Sequence, residues 1–428
     1  MIVHDPLYGR FAVPRYLSSL ILTPEVRRLS QVRLLNTLSP SIATFGELRR
    51  YSHTLGVLYL CEKNRSPGYS EEERRALGAS VLLHDVGTPP FGHLLEYHLR
   101  ETRGWTHEGI IKAVLWGHHA PENRAHQIFG GRTLEFRSAL KTSGISVELV
   151  EQIITGQHPL SILLFGTIDL DNLDNVSRMA WALGIQARPA LAVELASALM
   201  AGRDSRLWLS INQWLESVRH WSALRRSVYE VLVFDPPTVS SQAVLSEAID
   251  IALKRGLLSE DDWSHSDEGL LELLRSDPEI KDIVNREYLG RLPSLAFCVQ
   301  TLGRLEDLKL EDRASARSIV EDVLRVEFPK ERVLGYVFID RGTFEKELTF
   351  YDPDDQKAWR EGRTSSSVIL YGFIRSQRSL PPARCRRAAQ CLIERLGVSR
   401  QRIMLCQIGE LAETIDVQRS FNFAPSSG

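Results

Sequence analysis

His53, the adjacent pair His84-Asp85, and Asp171 in the acidic stretch from Ile168 to Asp174 are the residues whose types could together hold a divalent cation. Two neutral imidazoles and two carboxylates form a mixed nitrogen and oxygen donor set. Such a set suits Mn, Mg, Fe, Ni or Zn better than a thiolate-seeking metal. A cation held this way leaves room for water and lowers its pKa, which is the chemistry of metal-assisted hydrolysis. Taken alone, a histidine beside an aspartate arises by chance in most chains of this length, and the same residues would also serve as a salt-bridged core. Of the other histidines, His118, His119, His126, His158, His220 and His265 read as satisfied polar side chains.

The elements that must position these groups are mostly helical. Ser70 and Glu73 form a capping box that starts a helix, and its apolar run through Leu83 delivers His84-Asp85 to a stop made by Gly87, Pro89 and Pro90. His53 rides on a helix predicted over 51–63, whose apolar residues Leu55, Leu58 and Tyr59 follow the helical period. Thr23-Pro24-Glu25 starts a helix expected through about residue 36. Further helices are predicted near 92–101, 106–117, 147–155, 169–182, 240–255, 267–275 and 278–286, and two bracket the Arg-rich segment 211–233. Residues 1–16 read as a loop or hairpin. After Pro329 the pattern changes: β-branched and aromatic runs at 333–339 and 367–374 precede a helix at 382–396, ended by Gly397.

The expected fold is therefore mainly α, a helical bundle with a smaller C-terminal α+β module. The expected division is a catalytic core over 1–290, a helical connector over 291–329, the α+β module over 330–421 and a disordered tail over 422–428. Lys and Arg total 52 against 54 for Asp and Glu, which disfavours a long nucleic acid or a membrane surface as partner. Five scattered cysteines without CxxC spacing fit free thiols in a reducing compartment. With no signal-peptide pattern and no apolar run of spanning length, a cytoplasmic location is expected.

In the order His, His-Asp, Asp, the four candidates resemble the HD-domain metal-dependent phosphohydrolases. Asp5-Pro6-Leu7-Tyr8-Gly9 resembles that family's DPIHG, Thr23-Pro24 with Arg27-Arg28-Leu29 its TPxxQRL, and Arg50 to Val57 its RFEHSLGV. His84 to His93 is similar to HDLGHGPFSH, Trp105 to Glu108 matches WTHE, and Ile168 to Arg178 resembles IDVDKWDYFAR. The subgroup with this pattern is the deoxynucleoside triphosphate triphosphohydrolases. The resemblance implies His53, His84, Asp85 and Asp171 as metal ligands. It also implies His107 as the acid that protonates the leaving oxygen, Glu96 in place of the family's aspartate as its orienting partner, and His93 along the phosphate path. Arg50, Tyr229 and Arg178 fall on its substrate side. The implied reaction is attack of metal-activated water at the α-phosphorus of a nucleotide, giving nucleoside and triphosphate. A homo-oligomer is implied as well.

Several positions depart from the family. Thr88 stands where its second HDLGH histidine would be, Asn172 replaces a lysine and Asn175 a tyrosine. Tyr229 keeps the tyrosine of a VYxHK segment whose cation is lost, and Arg124, Arg225 and Arg226 are the cations that could compensate. The same chemistry on another phosphate ester, such as a nucleoside monophosphate or a cyclic or short oligonucleotide, is therefore an alternative. A catalytically weak nucleotide sensor is a second.

Overall fold

The computed structural model describes residues 1–118, 134–185, 190–342, 346–376, 379–409 and 413–414. Arg124 and the tail 422–428 lie outside them. The fold is mainly α with a smaller α+β part, and the chain divides into two units. The first comprises Met1–Val228, Ser246–Val284 and Glu347–Glu361; the second comprises Tyr229–Leu245, Asn285–Lys346 and Gly362–Gly428. Among the described residues no helix is long and apolar enough to cross a membrane.

In the first unit the helix Arg50–Lys63 packs against both Glu71–Leu83 and Leu170–Ala182, and these three carry the candidate ligands or lead into them. The capping box forms as expected: Ser70 N donates to Glu73 Oε2 at 2.7 Å and Glu73 N donates to Ser70 Oγ at 3.2 Å. Asp169 caps the third helix by accepting from Asn172 N at 2.7 Å. Val57, Leu60, Val81, Leu82, Leu83, Leu173 and Val176 are fully buried, so apolar burial fixes the faces and leaves the polar residues at one shared level. The N-terminal stretch is a hairpin of strands Ile2–Asp5 and Gly9–Ala12. Its turn is held by Asp5 Oδ1, which accepts from Leu7 N at 2.8 Å and Tyr8 N at 3.2 Å.

Two helix predictions need correction. The helix expected over 23–36 covers only Pro24–Arg28 and passes into a 3₁₀ turn, Leu29–Gln31. Val32 then turns extended, and Arg33 N donates to Asp267 Oδ2 at 2.7 Å instead of continuing the helix. The segment expected to be bracketed by two helices is one helix, Ile211–Phe234, since neither glycine nor proline interrupts it before Pro236.

The second unit holds a five-stranded antiparallel sheet in the order Glu413–Thr414, Ile403–Ile408, Ser294–Leu302, Ser366–Arg375, Arg332–Arg341. The helices Arg313–Glu327 and Pro382–Leu396 fall between its strands in sequence, giving a split β-α-β arrangement. Both pack on one face, over Val299, Val337, Val368 and Leu370. Gly397 ends the second helix in the left-handed region, as its sequence position predicts. The segment 291–329, expected as a helical connector, instead contributes the central strand Ser294–Leu302. Its run Leu295 to Val299 is buried on both faces and so lacks the alternation that marks a half-exposed strand.

The chain from Glu347 to Glu361 leaves this module in sequence and pairs with the first unit. There Leu348–Tyr351 and Ala358–Glu361 form a hairpin, and Leu348–Tyr351 runs parallel to Leu207–Trp208, with Trp208 opposite Tyr351.

Candidate metal centre

His53 is 1% exposed and both of its nitrogens are committed. Nδ1–H donates to Asp174 Oδ2 at 2.7 Å, which fixes the tautomer and aims Nε2 at Asp171 Oδ1, also 2.7 Å away. His84 Nδ1–H donates to the Val81 carbonyl at 2.6 Å, one helical turn back, so its Nε2 points away from the helix. That Nε2 lies 3.6 Å from Asp171 Oδ1 and 3.7 Å from Asp85 Oδ2, and His53 Nε2 is 3.9 Å from the same Asp85 oxygen. Asp85 divides its labour: Oδ1 accepts from Arg50 Nη1 at 2.8 Å and Thr88 Oγ1 at 3.1 Å.

His84 Nε2 and Asp85 Oδ2 are buried without a hydrogen-bond partner among the described residues. Buried polar atoms of native proteins are otherwise almost always paired, and these two face the pair formed by His53 and Asp171. Donors about 2.1 Å from a common ion stand about 3 Å apart when at right angles, so His53, His84 and Asp171 lie close enough to share a cation, and Asp85 Oδ2 stands 3.7 Å and 3.9 Å from the two imidazoles. The residues present therefore fit a divalent metal. The electrostatics agree. Burial would lower the His53 pKa, but Asp171 and Asp174 outweigh it and push it up to about 10. Burial would likewise raise Asp171, yet the two imidazoles hold it well below the usual carboxylate range. For Asp85 burial is opposed and overcome by Arg50, His84 and His53, which keep it ionised. The centre thus draws positive charge to itself. A third of the Asp171 side chain is exposed, which leaves one side open to solvent.

Beyond the ligands lies a buried ionic chain. Asp174 accepts from Arg178 Nε and Nη2, both at 2.9 Å, and from Tyr8 O–H at 2.8 Å. Arg178 Nη1 reaches Asp5 Oδ2 at 3.0 Å. The expectation that Arg178 contacts substrate is therefore corrected: it is 1% exposed and its guanidinium is consumed by Asp174 and Asp5. A carboxylate and an arginine four residues apart on one helix are neighbours by geometry, and that spacing was the available signal.

The second cluster joins three predicted residues. Glu96, 2% exposed, accepts from His107 Nδ1 and His93 Nδ1, each at 2.9 Å. The longer glutamate therefore reaches both imidazoles, from a helix that starts at Gly92 with φ 53° after Phe91 at φ 54°. Burial opposes the ionisation of Glu96, but hydrogen bonds from His107 and His93 hold its pKa far down. Burial would lower His107 as well, and Glu96 raises it more. Gly87, two residues after Asp85, packs so closely that a Cβ there would lie 2.5 Å from the His107 carbonyl oxygen, bringing the two clusters together. Thr88 faces Asp85, and Asn172 Nδ2 is bound to Asp169, at 2.9 Å from Oδ1. Tyr229, half-buried, belongs to the second unit. His158 and His265 are satisfied polar side chains, held by Glu73 and Asp262.

Two residues escaped the sequence reading. Arg28, fully buried, donates to the carbonyls of Val86, Thr88, His265 and Trp263 at 2.9, 2.5, 2.9 and 3.4 Å. Asp267 accepts from Phe91 N at 2.9 Å as well as from Arg33 N. Together they clamp the loop between His84-Asp85 and His93.

No protein-family model matches the chain. An uncharacterised protein, YwfO, of Bacillus subtilis (strain 168) is 23% identical over 57% of this chain and 54% of its own length. A deoxynucleoside triphosphate triphosphohydrolase SAMHD1 homolog of Dictyostelium discoideum is 23% identical over 43% of this chain and 36% of its own length. Human SAMHD1, a deoxynucleoside triphosphate triphosphohydrolase, is 29% identical over 25% of this chain and 19% of its own length. The matches thus span about half or less of these relatives. The solved structure of a phosphohydrolase from Bacteroides thetaiotaomicron superposes with a TM-score of 0.62 at 16% identity, over 87% of this chain and 99% of that one, and so shares the fold. The chain resembles the HD-domain phosphohydrolases, with deoxynucleoside triphosphate triphosphohydrolases among its relatives.

Proposed function

We propose that this chain is a metal-dependent phosphohydrolase that cleaves a (deoxy)nucleoside triphosphate at the α-phosphorus, releasing nucleoside and intact triphosphate. The observation that carries the reading is the pair of unpartnered buried atoms, His84 Nε2 and Asp85 Oδ2, facing His53 and Asp171. A divalent cation held by these four residues would supply an acidified water and offset charge on the phosphoryl group. The chain's own residues do the rest. Asp174 keeps the His53 tautomer, and Arg50 and Thr88 hold one Asp85 oxygen so that the other is presented. Arg50, whose buried Nε has no hydrogen-bond partner among the described residues, adds a permanent positive charge beside Asp85 for an anionic substrate. His107 delivers a proton to the leaving oxygen as the P–O bond breaks, and ionised Glu96 orients it.

The test is a matrix of Mn, Mg, Fe, Ni or Zn against each dNTP, NTP, dNMP and cyclic dinucleotide, with products identified by mass spectrometry. Nucleoside plus triphosphate is expected; monophosphate plus diphosphate overturns the assigned bond. Asp85→Ala is expected to lose bound metal and turnover, and unchanged values for both would refute the site. A second reading keeps the chemistry and changes the ester: Thr88 and Asn172 are spent on Asp85 and Asp169, so a smaller phosphate ester is the substrate that the lost cations favour.

The proton donor gives a pH prediction. His107 acts in its protonated form, and its raised pKa extends that form upward, so the rate falls on the alkaline side as pH passes that raised value. Glu96→Gln removes the charge that raises it. The alkaline limb should then move to lower pH, and the rate should drop about 100-fold or more. An unshifted limb in the pH–rate profile would separate Glu96 from the proton transfer.

A further inference from the structure

Three of the four ligands have a side-chain or carbonyl brace of their own: Asp174 for His53, the Val81 carbonyl for His84, and Arg50 with Thr88 for Asp85. Asp171 has none among the described residues beyond its contacts with His53 and His84, and its side chain is the most exposed of the four, at 33%. Its aim therefore depends on where the backbone of its helix begins.

That backbone is pinned from a segment remote in sequence. Thr167 Oγ1 accepts from Thr349 N at 2.9 Å and donates to the Thr349 carbonyl at 3.2 Å, so one hydroxyl takes the place of a neighbouring strand. On one side of Thr167, Gly166 admits no side chain, since a Cβ would lie 2.5 Å from the Ile162 carbonyl oxygen. On the other, Ile168 is fully buried and Asp169 caps the helix. Thr349 is equally fixed, because its neighbours Leu348 and Phe350 are buried and the Tyr351 carbonyl accepts from Leu209 N at 2.9 Å.

We infer that the inserted hairpin Leu348–Glu361 positions the metal ligand Asp171, with Thr167 as the positioning residue that couples them. The inference rests on the metal reading proposed above. It gives the excursion 347–361 a task in the catalytic half of the chain: the hairpin fixes the start of the helix from which Asp171 reaches His53.

Thr167→Val removes the hydroxyl at nearly constant shape, whereas Thr167→Ser keeps it. Mn(II) binding to the purified full chain would be followed by calorimetry or electron paramagnetic resonance, with the melting temperature of metal-free protein as the folding control. Thr167→Val should bind Mn(II) about tenfold more weakly, the usual effect of losing an outer-shell support, with an unchanged metal-free melting temperature. Thr167→Ser should restore wild-type affinity, and excess Mn(II) should restore kcat in the valine variant. Equal affinity in wild type and Thr167→Val overturns this inference alone. Failure of the wild type to bind any divalent cation overturns the metal reading and this inference with it.

Discussion

Gly56→Ala is expected to weaken metal binding at the proposed centre and to lower the stability of the fold through a single methyl group. Gly56 follows His53 by three residues, so it lies on the same face of the helix Arg50–Lys63. A Cβ there would overlap Asp174 Oδ1 and Arg178 Nη2. Neither can retreat: both residues are essentially inaccessible, and they are locked to each other, to Asp5 and to Tyr8. Overpacking a rigid interior costs about 1–3 kcal/mol, and here the upper end applies because the displaced atoms are charged. Moving Asp174 also releases His53 Nδ1, and losing such an outer partner weakens metal binding by about 10–100-fold. Denaturant unfolding and Mn(II) titration of the alanine variant measure the two effects separately. Wild-type values for both would show that the helix pair can separate without consequence.

Arg28→Leu should be worse for the fold. Arg28 supplies donors to four carbonyls in a dry interior, two from the loop after His84-Asp85 and two from Trp263 and His265. Leucine satisfies none of them. A buried carbonyl left unpaired costs about 1–3 kcal/mol, so the sum approaches the roughly 5–15 kcal/mol that hold a domain together. The expected outcome is an insoluble or largely unfolded chain. Arg28→Lys should be intermediate, since a compact ammonium with three protons cannot reach both segments as the guanidinium fork does. Soluble Arg28→Leu with a wild-type unfolding midpoint would mean that water replaces the guanidinium at no cost.

These residues also show what sequence could and could not disclose. The candidate ligands were legible because each sits in a local segment whose periodicity, cap and stop signal place it at a helix end or on a helix face: His84 after its apolar run, Asp171 after the Asp169 cap. Glu96 and His107 were singled out through the resemblance, and the structure places them 2.9 Å apart. Arg28 was not, because its partners at 263 and 265 are brought near only by tertiary packing, and no helical period distinguishes it from Arg27. Asp267 was hidden likewise, since a carboxylate in the first turn of a helix looks like ordinary dipole complementation, yet this one is fully buried against Phe91. Arg178 was misread for the opposite reason. Its place in a motif suggested a ligand contact, while the nearer Asp174 had already claimed it. The strand Ser294–Leu302 was missed because a strand covered on both faces reads as an undifferentiated apolar run.

The division of the chain has a bearing on its biosynthesis. A ribosome delivers residues in order, yet the first unit is assembled from Met1–Val228, Ser246–Val284 and Glu347–Glu361. The four candidate ligands are made early, but the hairpin that docks beside Thr167 emerges only after the second unit's first two strands, Ser294–Leu302 and Arg332–Arg341, have been synthesised. Nascent chains of this protein therefore carry an unfinished first unit through much of translation. Its completion waits on the strand Leu348–Tyr351, so vectorial folding from the N-terminus cannot by itself finish the unit that bears the candidate metal ligands.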